Sequence, residues 1–311
     1  MDPDGGPVRD PETLARIKAL AIPPAWTDVW ICTDPSGHLQ AVGTDSAGRL
    51  QYRYHDLWRE QQDRAKFDRV LEVAERLPAF RKTVDEQLQG RGLTRERVLA
   101  TAARLLDIGF FRIGGESYDS YGLATLRMEH LTFAKGYVIF SYQAKGDIPR
   151  EVEVADPAAC AVLRSLKRSG GEGELLRYRR RDGGWADIRS EDINDYLREV
   201  IGWEVTAKDF RTWHATVLAA VGLAVSRPAV SEGPTKKKRA ITRVMREVSE
   251  YLGNTPTVAR TSYVDPRVVE AYDQGRTIAG ALTELGADAD FGQLATAGPV
   301  ERAVIDLIHT V

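Results

Sequence analysis

The chain has 311 residues, 43% hydrophobic and 28% charged, with 27 glycines and 14 prolines. That ordinary globular composition excludes a disordered, collagenous or coiled-coil chain as the main architecture and suits about two domains. The formal net charge is −2, so the molecule as a whole has no basic signature, although a local basic patch can still serve a polyanion.

The opening residues are rich in Pro, Gly and Asp and lack the apolar core of a signal peptide. No apolar run reaches the roughly 18 residues that a membrane span requires. Cys32 and Cys160 lie far apart without metal-ligand spacing and read as free thiols of a reducing compartment. A soluble, cytoplasmic protein with no membrane partner is expected.

Asp10-Pro11 predicts a helix start, with a capping carboxylate followed by a residue whose missing N–H is no loss at the first helical position. This helix should end near Leu20, before Pro23-Pro24. Residues 27–54 change to a β-rich texture: Val29-Trp30-Ile31, a Pro35-Ser36-Gly37 turn, a strand from Leu39 to Val42, and a turn into Arg49-Leu50-Gln51-Tyr52-Arg53-Tyr54. A small antiparallel sheet is predicted. Residues 57–89 show helical spacing of apolar residues, read as two helices broken near Pro78. A composition shift at Gln89-Gly90-Arg91-Gly92 suggests domains of residues 1–90 and 91–311. Thr94 caps the next helix. Residues 130–154 alternate as three strands, with tight turns at Lys135-Gly136 and Lys145-Gly146-Asp147, and beyond Asp156 the chain reads mostly as helix.

Charge is uneven. Residues 161–190 and 204–251 each carry a net +4, whereas residues 265–311 carry −5. Basic surface in the middle of the larger domain suits a polyanion. The run Lys236-Lys237-Lys238-Arg239 either touches phosphates or lies in a loop. No GxxxxGK[ST] loop points to ATP. No HExxH and no Cys/His cluster points to a protein-bound metal, and no cofactor is expected.

Four segments carry chemistry-bearing residues: Phe110-Phe111-Arg112-Ile113-Gly114-Gly115; Gln143-Ala144-Lys145-Gly146-Asp147; Lys208-Asp209-Phe210-Arg211-Thr212-Trp213-His214; and Leu252-Gly253-Asn254-Thr255-Pro256, with Tyr263 nine residues after Asn254. Singly each has a bland reading as surface charge, turn or packed aromatic. In the third, Asp209 looks like the cap of a helix carrying Arg211 in its first turn, an end that favours anions. In the fourth, a Gly-Asn turn ends one helix and Thr255-Pro256 starts another.

Together and in this order the four resemble the catalytic constellation of type IB DNA topoisomerases, most closely the compact poxvirus-like and bacterial members. Pro23-Pro24-Ala25-Trp26-Thr27-Asp28-Val29 and residues 42–54 resemble that family's DNA-contacting segment. The resemblance implies an α+β architecture, with a small β-rich N-terminal domain and a larger, mostly helical catalytic domain of the tyrosine recombinase/topoisomerase IB type that clamps duplex DNA. It implies a monomer that associates with the nucleoid and relaxes supercoils by transient cleavage of one strand, without ATP or metal. Tyr263 is then the nucleophile forming a 3′-phosphotyrosyl link, Arg112 and Arg211 the phosphate clamps, and Lys145 the general acid. Many members carry His where this chain has Asn254, so Asn254 is assigned transition-state hydrogen bonding only, and His214 is read as structural. Gln51, Tyr52 and Tyr54 are the expected DNA contacts, with Tyr118 a further one. The alternative is a tyrosine site-specific recombinase, which shares the Arg–Lys–Arg–Tyr chemistry. Recombinases usually show H-x-x-R where this chain has Lys208 three residues before Arg211.

Overall fold

The computed structural model describes residues 5–114, 120–144, 147–170, 173–226, 233–285 and 298–311. The chain divides into two compact units, one up to Phe67 and one from Asp68 onward. That division falls inside a helix, some twenty residues before the composition shift near residue 90.

In the first unit, α1 (Pro11–Ala19) begins as expected: the Asp10 carboxylate accepts from the Thr13 N–H at 2.7 Å and Pro11 opens the helix. Strands β1 (Thr27–Ile31), β2 (Leu39–Thr44) and β3 (Leu50–Tyr54) form the predicted antiparallel sheet in the order β1-β2-β3. Val42 lies in register between Trp30 and Tyr52. Because successive side chains alternate, Leu50, Tyr52 and Tyr54 share one face while Gln51 and Arg53 share the other. Arg53 Nε donates to the Leu20 carbonyl at 3.0 Å, and Arg16 donates to Gln40 Oε1 and the Cys32 carbonyl, so α1 is tied to the sheet by guanidinium donors. On the other face Trp30 is 51% and Tyr52 50% exposed.

The expected break at Pro78 does not occur: α2 runs unbroken over Asp56–Leu88 with Pro78 inside it. A proline in a helix interior removes a hydrogen bond and crowds the preceding turn. Packing on both sides outweighs that cost, because Val70, Val73, Ala74, Leu77, Phe80, Val84 and Leu88 keep one buried stripe through the proline. Each large side chain in such a stripe stabilises by about 1.5–3 kcal/mol.

In the second unit, α3 (Arg95–Gly109) is capped by Thr94, as expected. Strands β4 (Leu131–Phe133), β5 (Val138–Ala144) and β6 (Ile148–Val154) form an antiparallel sheet in sequence order. After α4 (Pro157–Arg168) comes a hairpin that the sequence reading missed, β7 (Arg177–Arg179) and β8 (Trp185–Asp187). Its signal was the turn Asp182-Gly183-Gly184, where Gly183 adopts φ +87°. Helices follow: α5 (Ser190–Ile201), α6 (Ala207–Val225), α7 (Pro234–Leu252), α8 (Pro256–Ser262), α9 (Pro266–Asp273), α10 (Ala279–Leu285) and α11 (Pro299–His309). The basic run Lys236-Lys237-Lys238-Arg239 opens α7 rather than lying in a loop, because Pro234 starts the helix ahead of it.

Helix α6 is buried on nearly all sides, as a helix apolar all round must be, and it packs against α3, α5, α7, α9, α10 and α11. Its start corrects an expectation. Thr206 is the cap, and Asp209 is the third helical residue, whose carboxylate reaches back to the Thr206 N–H at 2.8 Å and to its hydroxyl at 3.0 Å. The reciprocal capping box explains why Asp209 looked like a cap. No described helix is long and apolar enough to cross a membrane.

Candidate active site

Arg112 follows α3. The helix ends on Phe110 in the left-handed region, φ +55°, a conformation costing a non-glycine residue roughly 1–2 kcal/mol. Phe111 then turns inward, edge-on to Phe140 at 5.0 Å. The segment from Arg112 lies against residues 122–124: Leu123 N–H donates to the Arg112 carbonyl at 2.8 Å and Ala124 N–H to the Ile113 carbonyl at 2.7 Å. Gly114 and Gly122 permit this approach, since a Cβ on either would sit 2.4–2.8 Å from the other's backbone. The glycine two residues after the arginine is thus a packing requirement that fixes where Arg112 leaves the chain.

Arg211 projects from the second turn of α6 and is 3% exposed. One terminal nitrogen donates to the Phe110 carbonyl and the other to the Leu252 carbonyl at 2.7 Å. Its Nε is buried with no partner among the described residues. Burial, with Arg112 and Arg150 nearby, lowers its pKa to about 10, which leaves it charged at neutral pH.

Helix α7 ends on Gly253 in the left-handed region, φ +62°, and Thr255 caps α8 with Pro256 in its first turn, as the sequence predicts. Asn254, between the two helices, accepts from Arg112 through Oδ1, while its buried Nδ2 has no partner among the described residues. Arg112 also donates to the Gly253 carbonyl at 3.0 Å.

Tyr263 comes immediately after α8 and is 8% exposed. Its backbone is pinned to α6: Thr216 Oγ1 accepts from the Asp265 N–H at 3.1 Å and shares its proton between the Thr212 carbonyl at 2.9 Å and the Tyr263 carbonyl at 3.3 Å. The Arg211 guanidinium lies 5.5 Å and the Lys208 ammonium 5.8 Å from the centre of its ring. Burial would raise the phenol's pKa, but Arg211, Arg112 and Lys208 outweigh it and hold the phenol below its ordinary value. Tyr263, Arg211, Arg112 and Asn254 are therefore linked in one neighbourhood, although they come from segments up to 151 residues apart.

Lys145 and Tyr118 lie outside the described residues. Gln51, Tyr52 and Tyr54 belong to the first unit. Gln51 Nε2 donates to Asp45 Oδ2 at 2.9 Å, while the Tyr52 and Tyr54 rings stack with centroids 6.2 Å apart and Tyr54 stacks on Trp58 at 4.4 Å. His214 is buried 3.7 Å from Asp107, burial pushes its pKa below the ordinary value, and neither ring nitrogen has a hydrogen-bond partner among the described residues.

Sequence reasoning quoted Lys208 but gave it no role. Its signal was a spacing of three from Arg211, which puts both on one side of a helix. It missed Tyr121, Tyr142 and Arg150, which line a cleft with Arg112 and Arg211. Among the described residues no group of three His, Cys, Asp or Glu side chains is placed to hold a metal.

A nearly buried phenol thus lies beside Arg211 and Lys208, with the Nε of Arg211 and the Nδ2 of Asn254 buried without partners among the described residues, and comparison with known proteins gives the class of the chain. The profile described as the catalytic core of eukaryotic DNA topoisomerase I matches residues 55–285, and that of the bacterial DNA topoisomerase IB N-terminal domain matches residues 1–45. The chain belongs to the type IB DNA topoisomerase family. DNA topoisomerase 1B of Acanthamoeba polyphaga mimivirus is 28% identical to it over 268 residues, covering 83% of this chain and 80% of the relative.

Proposed function

We propose that this chain relaxes supercoiled DNA by cutting and resealing one strand through Tyr263, with no need for ATP or a metal ion. The Tyr263 phenol gives its proton to water and attacks the phosphorus in line. A bond from Tyr263 Oη to phosphorus forms as the bond to the 5′-oxygen breaks, leaving a 3′-phosphotyrosyl link and a free 5′-hydroxyl. Such a reaction is helped mainly by positioning and by charge placed where the transition state needs it. Arg112 and Arg211 supply guanidinium donors to the non-bridging oxygens, and Asn254 Nδ2 supplies a neutral one. Lys145 protonates the departing 5′-oxygen. Resealing runs the same steps backwards, and the ester energy held in the tyrosyl link makes nucleotide hydrolysis unnecessary.

The observation that carries this reading is Tyr263 itself: a nearly buried phenol that Arg211, Arg112 and Lys208 hold below its ordinary pKa in spite of its burial. For DNA contact, Tyr52 offers its hydroxyl from the exposed sheet face, with Tyr54 beside it. Gln51 reads a base edge once it leaves Asp45. A monomer clamped around duplex DNA belongs to the same proposal. The test is relaxation of positively and negatively supercoiled plasmid in EDTA without ATP, with Tyr263→Phe as control. Wild type should relax both, and the variant should bind DNA without forming a covalent adduct. An absolute requirement for ATP or metal, or an adduct persisting in Tyr263→Phe, would reject the mechanism.

A further inference from the structure

A helix ends with carbonyls that have no partner in the next turn and with negative partial charge, an unfavourable neighbour for a phosphate. Helix α7 ends in this way beside the proposed phosphate site, and its carbonyls are all accounted for. The Ser249 carbonyl accepts from the Asn254 N–H at 3.0 Å and that of Glu250 from the Gly253 N–H at 3.2 Å. Arg150, on β6, donates through Nη1 to the Glu250 carbonyl at 3.1 Å and through Nη2 to the Tyr251 carbonyl at 2.7 Å. Arg211 takes the Leu252 carbonyl and Arg112 that of Gly253. Three arginines from three segments thus cover four successive carbonyls. Two of them are the proposed phosphate clamps; Arg150 and Arg211 each have both terminal nitrogens committed to backbone, and Arg211 keeps only its buried Nε without a partner among the described residues. Arg150 is also packed against the turn, since a Cβ on Gly253 would lie 3.1 Å from its Nη1.

We propose that Arg150 is a positioning residue for strand cleavage: by holding the Glu250 and Tyr251 carbonyls it fixes the end of α7, so that Arg112, Arg211 and Asn254 keep their remaining donors for the phosphate. This rests on the function proposed above. Without Arg150, the Tyr251 carbonyl loses its donor and the Glu250 carbonyl keeps only the Gly253 N–H, beside an incoming anion, with Arg112 and Arg211 already bonded to the next two carbonyls. Each donor drawn to backbone is lost to the transition state, and the turn carrying Asn254 is freed. The consequence falls on the rate of chemistry, because both terminal nitrogens of Arg150 are engaged by carbonyls.

The experiment measures single-turnover adduct formation on a duplex oligonucleotide by wild type, Arg150→Ala and Arg150→Gln, with duplex affinity measured for each in a Tyr263→Phe background. Arg150→Ala should slow cleavage on the order of 100-fold, the scale expected for catalytic groups displaced by about 1 Å, with affinity unchanged. Arg150→Gln, which keeps an amide donor for one carbonyl, should be slowed less, and it carries the test if the alanine variant does not fold. Adding Asn254→Ala to Arg150→Ala should cost much less than Asn254→Ala alone, because coupled residues are not additive. Cleavage at the wild-type rate, an affinity loss as large as the rate loss, or costs that simply add would overturn the inference. The wild-type lane separates the two claims: no wild-type adduct removes the proposed function and the inference together, whereas normal wild-type adduct with unaffected Arg150 variants removes the inference alone.

Discussion

Glu301 lies on α11, beyond the segment matched by the catalytic-core profile, yet it is tied to the helix that carries Arg211. Its carboxylate, 5% exposed, accepts from Trp213 Nε1 at 2.9 Å, two residues after Arg211, and from both terminal nitrogens of Arg81 at 2.5 and 2.9 Å. Arg81 in turn donates to both oxygens of Asp107 on α3 at 2.8 and 2.9 Å. Burial lowers the pKa of Arg81, but the two carboxylates more than offset it and hold the guanidinium above its ordinary value. Glu301→Ala removes one anion from this buried network and orphans the indole N–H. Removing one partner of a buried ion pair costs roughly 3–5 kcal/mol, and an unsatisfied buried donor about 1–3 kcal/mol. Arg81 keeps Asp107, so the two costs overlap and about 3–5 kcal/mol is the expected total. For a unit of this size that is a fall in melting temperature of roughly 10 °C. Glu301→Gln, which still offers the indole an acceptor, should lose less than half as much. Circular-dichroism melts of the three proteins, with adduct formation measured well below the transition, make the check. A Glu301→Ala melt within about 2 °C of wild type, smaller than the shift for 1 kcal/mol, would refute the reasoning.

Lys208→Ala removes one of the three cations that lower the Tyr263 pKa. Because the phenolate attacks, cleavage rises with pH until Tyr263 is ionised, so the variant's pH–rate midpoint should move upward; an unmoved midpoint would remove Lys208 from that role. Asn254→Ala should slow adduct formation on the order of 100-fold, as loss of one preorganised donor does elsewhere. Asn254→His should add an ionisation in the acid range that the wild-type profile lacks. Lys145→Ala should cleave slowly on ordinary DNA and regain most activity on a substrate with a 5′-bridging sulfur, whose thiolate leaves without a proton. Absence of that rescue would take Lys145 out of the acid role.

Much of the local structure was legible because its signals are local. Asp10-Pro11, Thr94 and Thr255-Pro256 announce helix starts by side-chain hydrogen bonding within three residues, and Gly253 announces an end by its conformational freedom. The four segments that carry the candidate site residues were legible only as an ordered set, through their family resemblance. Pro78 misled because its local cost is outweighed by a buried stripe whose partners lie far along the chain. Asp209 misled by one turn, since a capping box has two polar members and only the structure shows which is outside the helix. Arg150 was illegible for a deeper reason: its partners are backbone carbonyls 100 residues away, and carbonyls leave no mark in a sequence. Glu301 likewise reads as one acid among eight in the tail until Trp213 and Arg81 are brought to it.

The Thr216 hydroxyl, lodged between the Tyr263 carbonyl and the Asp265 amide, rivets the backbone at the proposed attachment point to the helix bearing Arg211. A severed strand esterified there would be moored on a buried helix, within reach of the donors needed for rejoining. Torsion would then have to escape through rotation of the untethered DNA end, while the tethered end waits in place for its return.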